Sequence, residues 1–180
     1  MQRRDVLRFL GSVGVAGLAG CAAPAASPNS RFDPEAPCPD SIDLCYHELT
    51  DEQVFLYPDS EQVTIGDEVQ MHLVNRSDHD LFIGPDYWWL WRLEDGEWVD
   101  IRPRNYVLDM GAGVPAGGSY VWNLAVHAEA SDGRSSAFGE ITEAAFEPGR
   151  YCFEARDVDI GDEKENEHNS FGAIFDVVEA

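Results

Sequence analysis

The stretch Gly84-Pro85-Asp86-Tyr87-Trp88-Trp89-Leu90-Trp91-Arg92-Leu93-Glu94-Asp95-Gly96-Glu97-Trp98-Val99 constrains the fold more than any other part of the chain. It holds four of the five tryptophans and reads as a strand, a tight turn and the start of the next strand. Asp95-Gly96 suits a two-residue hairpin turn, whose central positions favour positive φ. Alternation places Trp89, Trp91 and Leu93 on one face, the expected core face. Trp88, Leu90, Arg92 and Glu94 share the other. Asp86, Tyr87 and Trp88, next to the Gly-Pro turn, then form a candidate binding surface, with Trp88 lying off the core face.

The other apolar runs are shorter and alternate in the same way. Val69, Met71 and Leu73 face one way, with Gln70 and His72 opposite. Tyr120, Trp122, Leu124 and Val126 repeat the pattern, as do Tyr151, Phe153 and Ala155 against Cys152, Glu154 and Arg156. Phe171, Ala173, Phe175 and Val177 close the chain. Gln53 to Tyr57, Trp98 to Ile101 and Tyr106 to Leu108 add short strands, and Ile141 to Phe146 reads as half a strand or one helical turn. No run keeps helical spacing over three turns. Seven to nine short strands between turn signals predict an all-β, antiparallel two-sheet sandwich. A chain of 180 residues suits one such domain.

The first residues read as an address rather than as fold. Arg3-Arg4 precedes a small, glycine-rich apolar stretch, Val13 to Gly20, in the manner of a twin-arginine export signal. Leu18-Ala19-Gly20-Cys21 resembles a lipobox, with cleavage before Cys21 and lipid on its sulfur. The expected organisation is a signal over 1–21, a flexible tether over 22–37 and the sandwich domain over 38–180. The expected location is the extracellular face of the cell membrane, held there by the lipid.

Composition restricts the partners. Thirty-four acidic residues against 12 basic ones give a net charge of -22, and Lys164 is the only lysine. That charge repels nucleic acid and anionic membrane surfaces, so no nucleic-acid partner is expected. With 44% hydrophobic residues the chain is not disordered by composition. A folded, acidic, lysine-poor chain resembles the proteins of salt-loving archaea, where salt screens carboxylate repulsion.

Taken together, Ile65-Gly66-Asp67-Glu68-Val69, Val74-Asn75-Arg76-Ser77, Arg92-Leu93-Glu94-Asp95-Gly96-Glu97-Trp98, Pro115-Ala116-Gly117-Gly118-Ser119-Tyr120 and Glu147-Pro148-Gly149-Arg150-Tyr151 resemble a bacterial immunoglobulin-like domain of secreted proteins and lipoproteins. The resemblance runs from about Gln53 to Val178. The second proline–glycine turn departs from it by one extra residue, in Pro115-Ala116-Gly117. The resemblance implies a cell-surface binding or spacer module and supplies no catalytic residues.

Among candidate sites, Cys38, Cys45 and Cys152 remain for disulfide formation if Cys21 carries lipid, and three cannot all pair within one chain. Spacing leaves the pairing open. Asn75-Arg76-Ser77 is a glycosylation acceptor. Asp157-Val158-Asp159-Ile160-Gly161-Asp162-Glu163, extended by Glu165 and Glu167, offers oxygen ligands of the kind calcium takes but lacks a full calcium-loop pattern. A cupredoxin-like copper site on Cys152 lacks a histidine a few residues onward, since His168 lies across that acidic loop, and Met71 and Met110 have no suitable spacing. His47, His72, His79, His127 and His168 are scattered. No catalytic residues, metal site or cofactor is expected. The expectation is a non-catalytic envelope module whose partner is another envelope protein or a glycan; the alternative is an extracellular redox or metal-binding module.

Overall fold

The computed structural model describes residues 30–49, 51–102, 111–129, 140–141, 145–161 and 169–180. These residues form an all-β domain of twelve strands, most of them short. The strands are β1 (Leu44–Cys45), β2 (Val54–Pro58), β3 (Gln62–Thr64), β4 (Glu68–Asn75), β5 (Leu81–Ile83) and β6 (Trp88–Glu94). They continue as β7 (Glu97–Asp100), β8 (Ala112–Val114), β9 (Ser119–Ala125), β10 (Glu140–Ile141), β11 (Gly149–Val158) and β12 (Asn169–Val178). One short 3-10 turn, Tyr46–Glu48, follows β1. Signal residues 1–21, the first part of the expected tether and the expected strand at Tyr106 to Leu108 lie outside the described residues.

The larger sheet runs β1-β12-β11-β6-β7, with β3 also paired to β12; the second runs β10-β9-β4-β2, and β5 pairs with β8. The pairing is mixed rather than purely antiparallel. β1 and β3 both run parallel to β12, at different positions along it, and β10 runs parallel to β9. Between these two contacts with β12 the chain contributes β2 to the second sheet.

Between the two larger sheets lies one continuous core. Val69, Met71 and Leu73 of β4 and Trp122 and Leu124 of β9 face Tyr151 and Phe153 of β11 and Phe175 of β12. The rings interlock across the gap: Trp122 and Phe153 have centroids 5.5 Å apart, and Tyr151 stacks on Phe175 at 5.7 Å. The alternation read for β4, β9, β11 and β12 therefore matches their core faces.

The hairpin forms where Asp95-Gly96 predicts it. Both residues have positive φ, 50° and 89°, and Glu94 pairs with Glu97 across the turn. The faces of β6, however, are the reverse of the expectation. Trp88 is 2% exposed and Leu90 fully buried, whereas Trp89, Trp91 and Leu93 are only partly buried. Trp88 stacks on Phe153 at 5.8 Å inside the sandwich. The error has a physical source: both faces of β6 are covered, so aromatic content does not distinguish them.

Two consequences follow for stability. Replacing Trp88 with alanine empties a core site and should cost roughly 3–5 kcal/mol in chemical denaturation, far more than alanine at the neighbouring half-buried Tyr87. His72 of β4 stacks on Tyr57 at 4.8 Å, and burial holds its imidazole below the ordinary value of 6.5, opposed in part by Asp59. The folded state thus binds that proton more weakly than the unfolded chain. Stability should be complete above the ordinary histidine range and fall as pH drops through it, and His72→Gln should flatten that part of a denaturation-versus-pH profile.

Candidate functional site

The chemistry of the described residues concentrates on the outer face of the larger sheet. On β11, the residues between the core-facing ones are Cys152, Glu154 and Arg156. Register puts Trp91 beside Cys152 and Trp89 beside Glu154 on one side, with Ile174 and Gly172 of β12 on the other. In an open sandwich this face would meet water. Here a second, smaller apolar cluster forms, in which Phe32, Cys45, Cys152 and Ile174 are buried and Ala36, Cys38, Ile42, Trp91 and Trp98 pack against them.

The cover comes from residues expected to be tether. From Ser30 the chain is docked: the Ser30 hydroxyl and Arg31 N–H donate to Glu61, and Arg31 pairs with Asp176 of β12. Two guanidiniums lie over the Phe32 ring, those of Arg31 at 5.0 Å and Arg150 at 4.7 Å from its centroid. Arg150 in turn donates to Asp176 at 2.9 Å. Further along, His47 is 6% exposed and its Nε2 lies 2.9 Å from the Ala36 carbonyl. A lone phenylalanine among alanine, proline and serine was the available signal that this segment packs.

Under this cover the three sulfurs meet. Cys38 and Cys45 form a disulfide across 7 residues, with Cα atoms 6.5 Å apart. Cys152 is a buried free thiol, and the sulfurs of all three lie within 4.8 Å of one another. Among the described residues no histidine joins this group. Burial pushes the Cys152 thiol well above its ordinary range, and the Glu154 carboxylate pushes it the same way. Gly172 makes the arrangement fit: a Cβ there would come within 2.9 Å of the Cys45 sulfur and 2.7 Å of Ile42 Cδ1.

Glu154 is the other notable group. It is wholly buried, yet its carboxylate accepts from five donor atoms. Trp91 Nε1 donates at 2.7 Å, the Ser170 hydroxyl at 2.5 Å, the Ser41 hydroxyl at 3.3 Å, and Arg156 through Nε at 2.7 Å and Nη2 at 2.9 Å. Arg156 also lies over Trp89, 3.9 Å from the ring centroid. A buried carboxylate costs several kcal/mol in lost hydration, and this set of donors offsets it. So complete a donor shell makes Glu154 a clamp between β11, β6, β12 and the N-terminal cover. Glu154→Ala should cost about 3–5 kcal/mol in denaturant titration, because it strands Arg156 and the Trp91 N–H.

The remaining predicted sites are dispersed. Asp86 and Tyr87 are half-buried; the Asp86 carbonyl accepts from Arg102 at 2.6 Å and the Pro85 carbonyl from Trp122 Nε1 at 2.8 Å. Trp88, as a core residue, cannot belong to a binding surface. Asn75 is fully buried: its amide nitrogen donates to the carbonyls of His79, Val114 and Pro115, and its oxygen accepts from Ser77. A glycan on that nitrogen is incompatible with this packing. Asp157 and Asp159 of the acidic run are described, and Asp159 Oδ1 accepts from Gly161 N–H; Asp162, Glu163, Glu165, Glu167 and His168 lie outside the described residues, as does Cys21. A cleft of about 540 Å³ opens over Leu44, Val54 and Phe171, with Asp43, Glu52 and Asp78 at its rim.

No family model matches the chain, and no curated protein matches it. Among solved structures, similarity is found to the alkylpurine DNA glycosylase AlkC of Pseudomonas fluorescens bound to DNA containing an abasic site analog, at 11% identity and a TM-score of 0.34, covering 72% of this chain and 31% of that one. The PapD-like domain 7 of human CEP192 is similar at 14% identity and a TM-score of 0.30, covering 73% and 92%. The sporulation control protein Spo0M of Bacillus subtilis is similar at 14% identity and a TM-score of 0.31, covering 71% and 49%. The chain therefore spans 31% and 49% of the glycosylase and of Spo0M.

Proposed function

We propose that the protein is an exported, lipid-anchored immunoglobulin-like module that works without catalysis, as a binding or accessory component at the extracellular face of the cell membrane. The observation that carries this reading is the Cys38–Cys45 disulfide, since such bonds persist in oxidising compartments outside the cytosol. It agrees with the export signal and the lipobox at Cys21. The immunoglobulin-like reading is supported by Tyr151, whose hydroxyl donates to the Glu147 carbonyl at 2.8 Å and accepts from the Glu147 N–H at 3.0 Å. A tyrosine near the start of a late strand, bonded back to backbone a few residues upstream, is a corner device of immunoglobulin-like sandwiches.

Glu154 is enclosed in a donor shell rather than held in a cleft, which suits a structural role for this carboxylate. The partner would be an envelope protein or a glycan. With Trp88 buried, the surfaces that suit a partner are Phe82 on β5, 59% exposed, and Val99 on the edge strand β7, 40% exposed. A second reading, a redox or metal module, draws on the proximity of the three sulfurs. Among the described residues no histidine stands with those sulfurs, as a copper site would need.

Intact mass of the protein taken from its native membrane in high salt separates these readings. The expected result is a chain beginning at Cys21 and carrying lipid, with one free thiol before reduction and no metal. An unlipidated chain, or one with bound metal, would overturn the anchored-module reading and favour the second.

A further inference from the structure

The cleft over Leu44, Val54 and Phe171 takes no part in the sulfur pocket or in the Glu154 clamp. We propose that it is a docking site for a lysine or arginine side chain of a partner protein, with the methylene stem on the apolar floor and the cationic head among the carboxylates of Asp43, Glu52 and Asp78.

The cleft lies at one end of the sandwich, where β1, β2 and β12 begin and β4 ends. Unlike the exposed Phe82 and Val99 it is concave, and its volume of about 540 Å³ is that of a small-ligand site. Carboxylates are common all over this chain, so their number alone marks nothing. What sets these three apart is that they ring an apolar floor, and no lysine or arginine is among the described residues that line it. Lysine and arginine are the side chains that use both surfaces at once: the stem buries against apolar groups while the head stays with polar partners. A neutral glycan draws less from three carboxylates than a cation does.

Two of the walls are fixed beforehand. Asp43 N–H donates to the Ser170 carbonyl at 3.0 Å, and Asp43 Oδ2 accepts from Ser170 N–H at 2.9 Å. Buried Asn75 holds the loop that carries Asp78: its amide donates to the His79 carbonyl at 2.8 Å, and its oxygen accepts from Ser77 N–H at 3.0 Å. Asp78 also lies 3.2 Å from His79 Nε2, with both side chains well exposed. Backbone held in this way loses little freedom when a ligand arrives.

That the partner belongs to the envelope rests on the anchored reading, which also orients the cleft. The chain is docked from Ser30, bonded to Glu61, and from Arg31, paired with Asp176 near the far end of β12. Only residues 22–29 then separate a lipid on Cys21 from the domain. At about 3.5 Å per residue they reach about 30 Å. Asn169, in the cleft, stands about 23 Å along β12 from Asp176. Turning the cleft onto the bilayer would stretch the link close to its limit, so the anchor favours a cleft that faces outward.

The test uses the full chain and pentylammonium, which copies a lysine stem and head. In an NMR titration at fixed salt the amides of Leu44, Val54 and Phe171 should shift first, whereas ammonium alone should not single them out. Pentanol, with the stem but no charge, should bind there several-fold more weakly. Asp78→Asn should weaken pentylammonium about two- to five-fold, the range of an exposed ion pair. Combined with Asp43→Asn and Glu52→Gln it should weaken binding about ten-fold or more and leave the pentanol shifts unchanged. Shifts spread over the acidic surface without preference for the cleft, or pentanol binding as tightly as the amine, would overturn the proposal. Binding of maltose in place of pentylammonium would also overturn it and make the partner a glycan. The comparison of probes on the wild-type chain decides even where a variant does not fold. Intact mass of the same sample reports the lipid separately, so an unlipidated chain would sink the anchored reading without touching the result at the cleft.

Discussion

Burial of β11 on both faces is the constraint on which the rest of the structure depends. Its inner residues, Tyr151, Phe153 and Ala155, belong to the sandwich core. Its outer residues, Cys152 and Glu154, are equally inaccessible beneath the chain from Ser30 to Cys45. A strand covered on both sides contributes burial twice, but it also carries its polar residues out of water, and each must then find partners. Glu154 is where that demand is greatest. Its donors come from β6, β11, the start of β12 and the N-terminal segment, so the four pieces are tied through one carboxylate.

Arginine is used in the same spirit. In a chain with one lysine and an excess of carboxylates, the described arginines are mostly placed where their planar groups stack as well as pair. Arg156 serves Glu154 and lies over Trp89; Arg92 donates to Glu147 at 2.8 Å and lies 5.9 Å from the Tyr151 ring centroid. Arg31 and Arg150 both lie against Phe32 and meet at Asp176, fastening the N-terminal cover to β12. Trp89 and Trp91, expected on the core face of β6, are in part the apolar half of this arrangement. Trp89 and Trp91 are half-buried because a guanidinium or the cover lies against them rather than a facing sheet.

Much of the fold was legible in the chain. The period-two runs of β4, β9, β11 and β12 each identify their core face correctly, because one face of each meets the opposite sheet and its residues must be apolar. Asp95-Gly96 marked its turn because few other pairs accept positive φ twice in succession. β6 failed because both of its faces carry large apolar residues, Trp89 and Trp91 on one and Trp88 and Leu90 on the other, so alternation did not say which is core. The candidate site was less legible. A glutamate on an alternating strand reads as solvent-facing, and a phenylalanine in an alanine- and proline-rich stretch reads as incidental. Only the register between strands puts Ser41, Trp91, Arg156 and Ser170 around Glu154, and register is a long-range property.

By itself the sequence determined an all-β chain, its principal turns, its extreme acidity and the supply of three cysteines beyond Cys21, since these follow from local period, backbone preference and composition. Tertiary structure alone decided which face of β6 is core, which cysteines are joined, and that Asn75 and Glu154 are interior groups. The physical reason is common to all of these. Burial and sulfur pairing depend on what another part of the chain brings to the same place, and nothing in the local sequence records that neighbour.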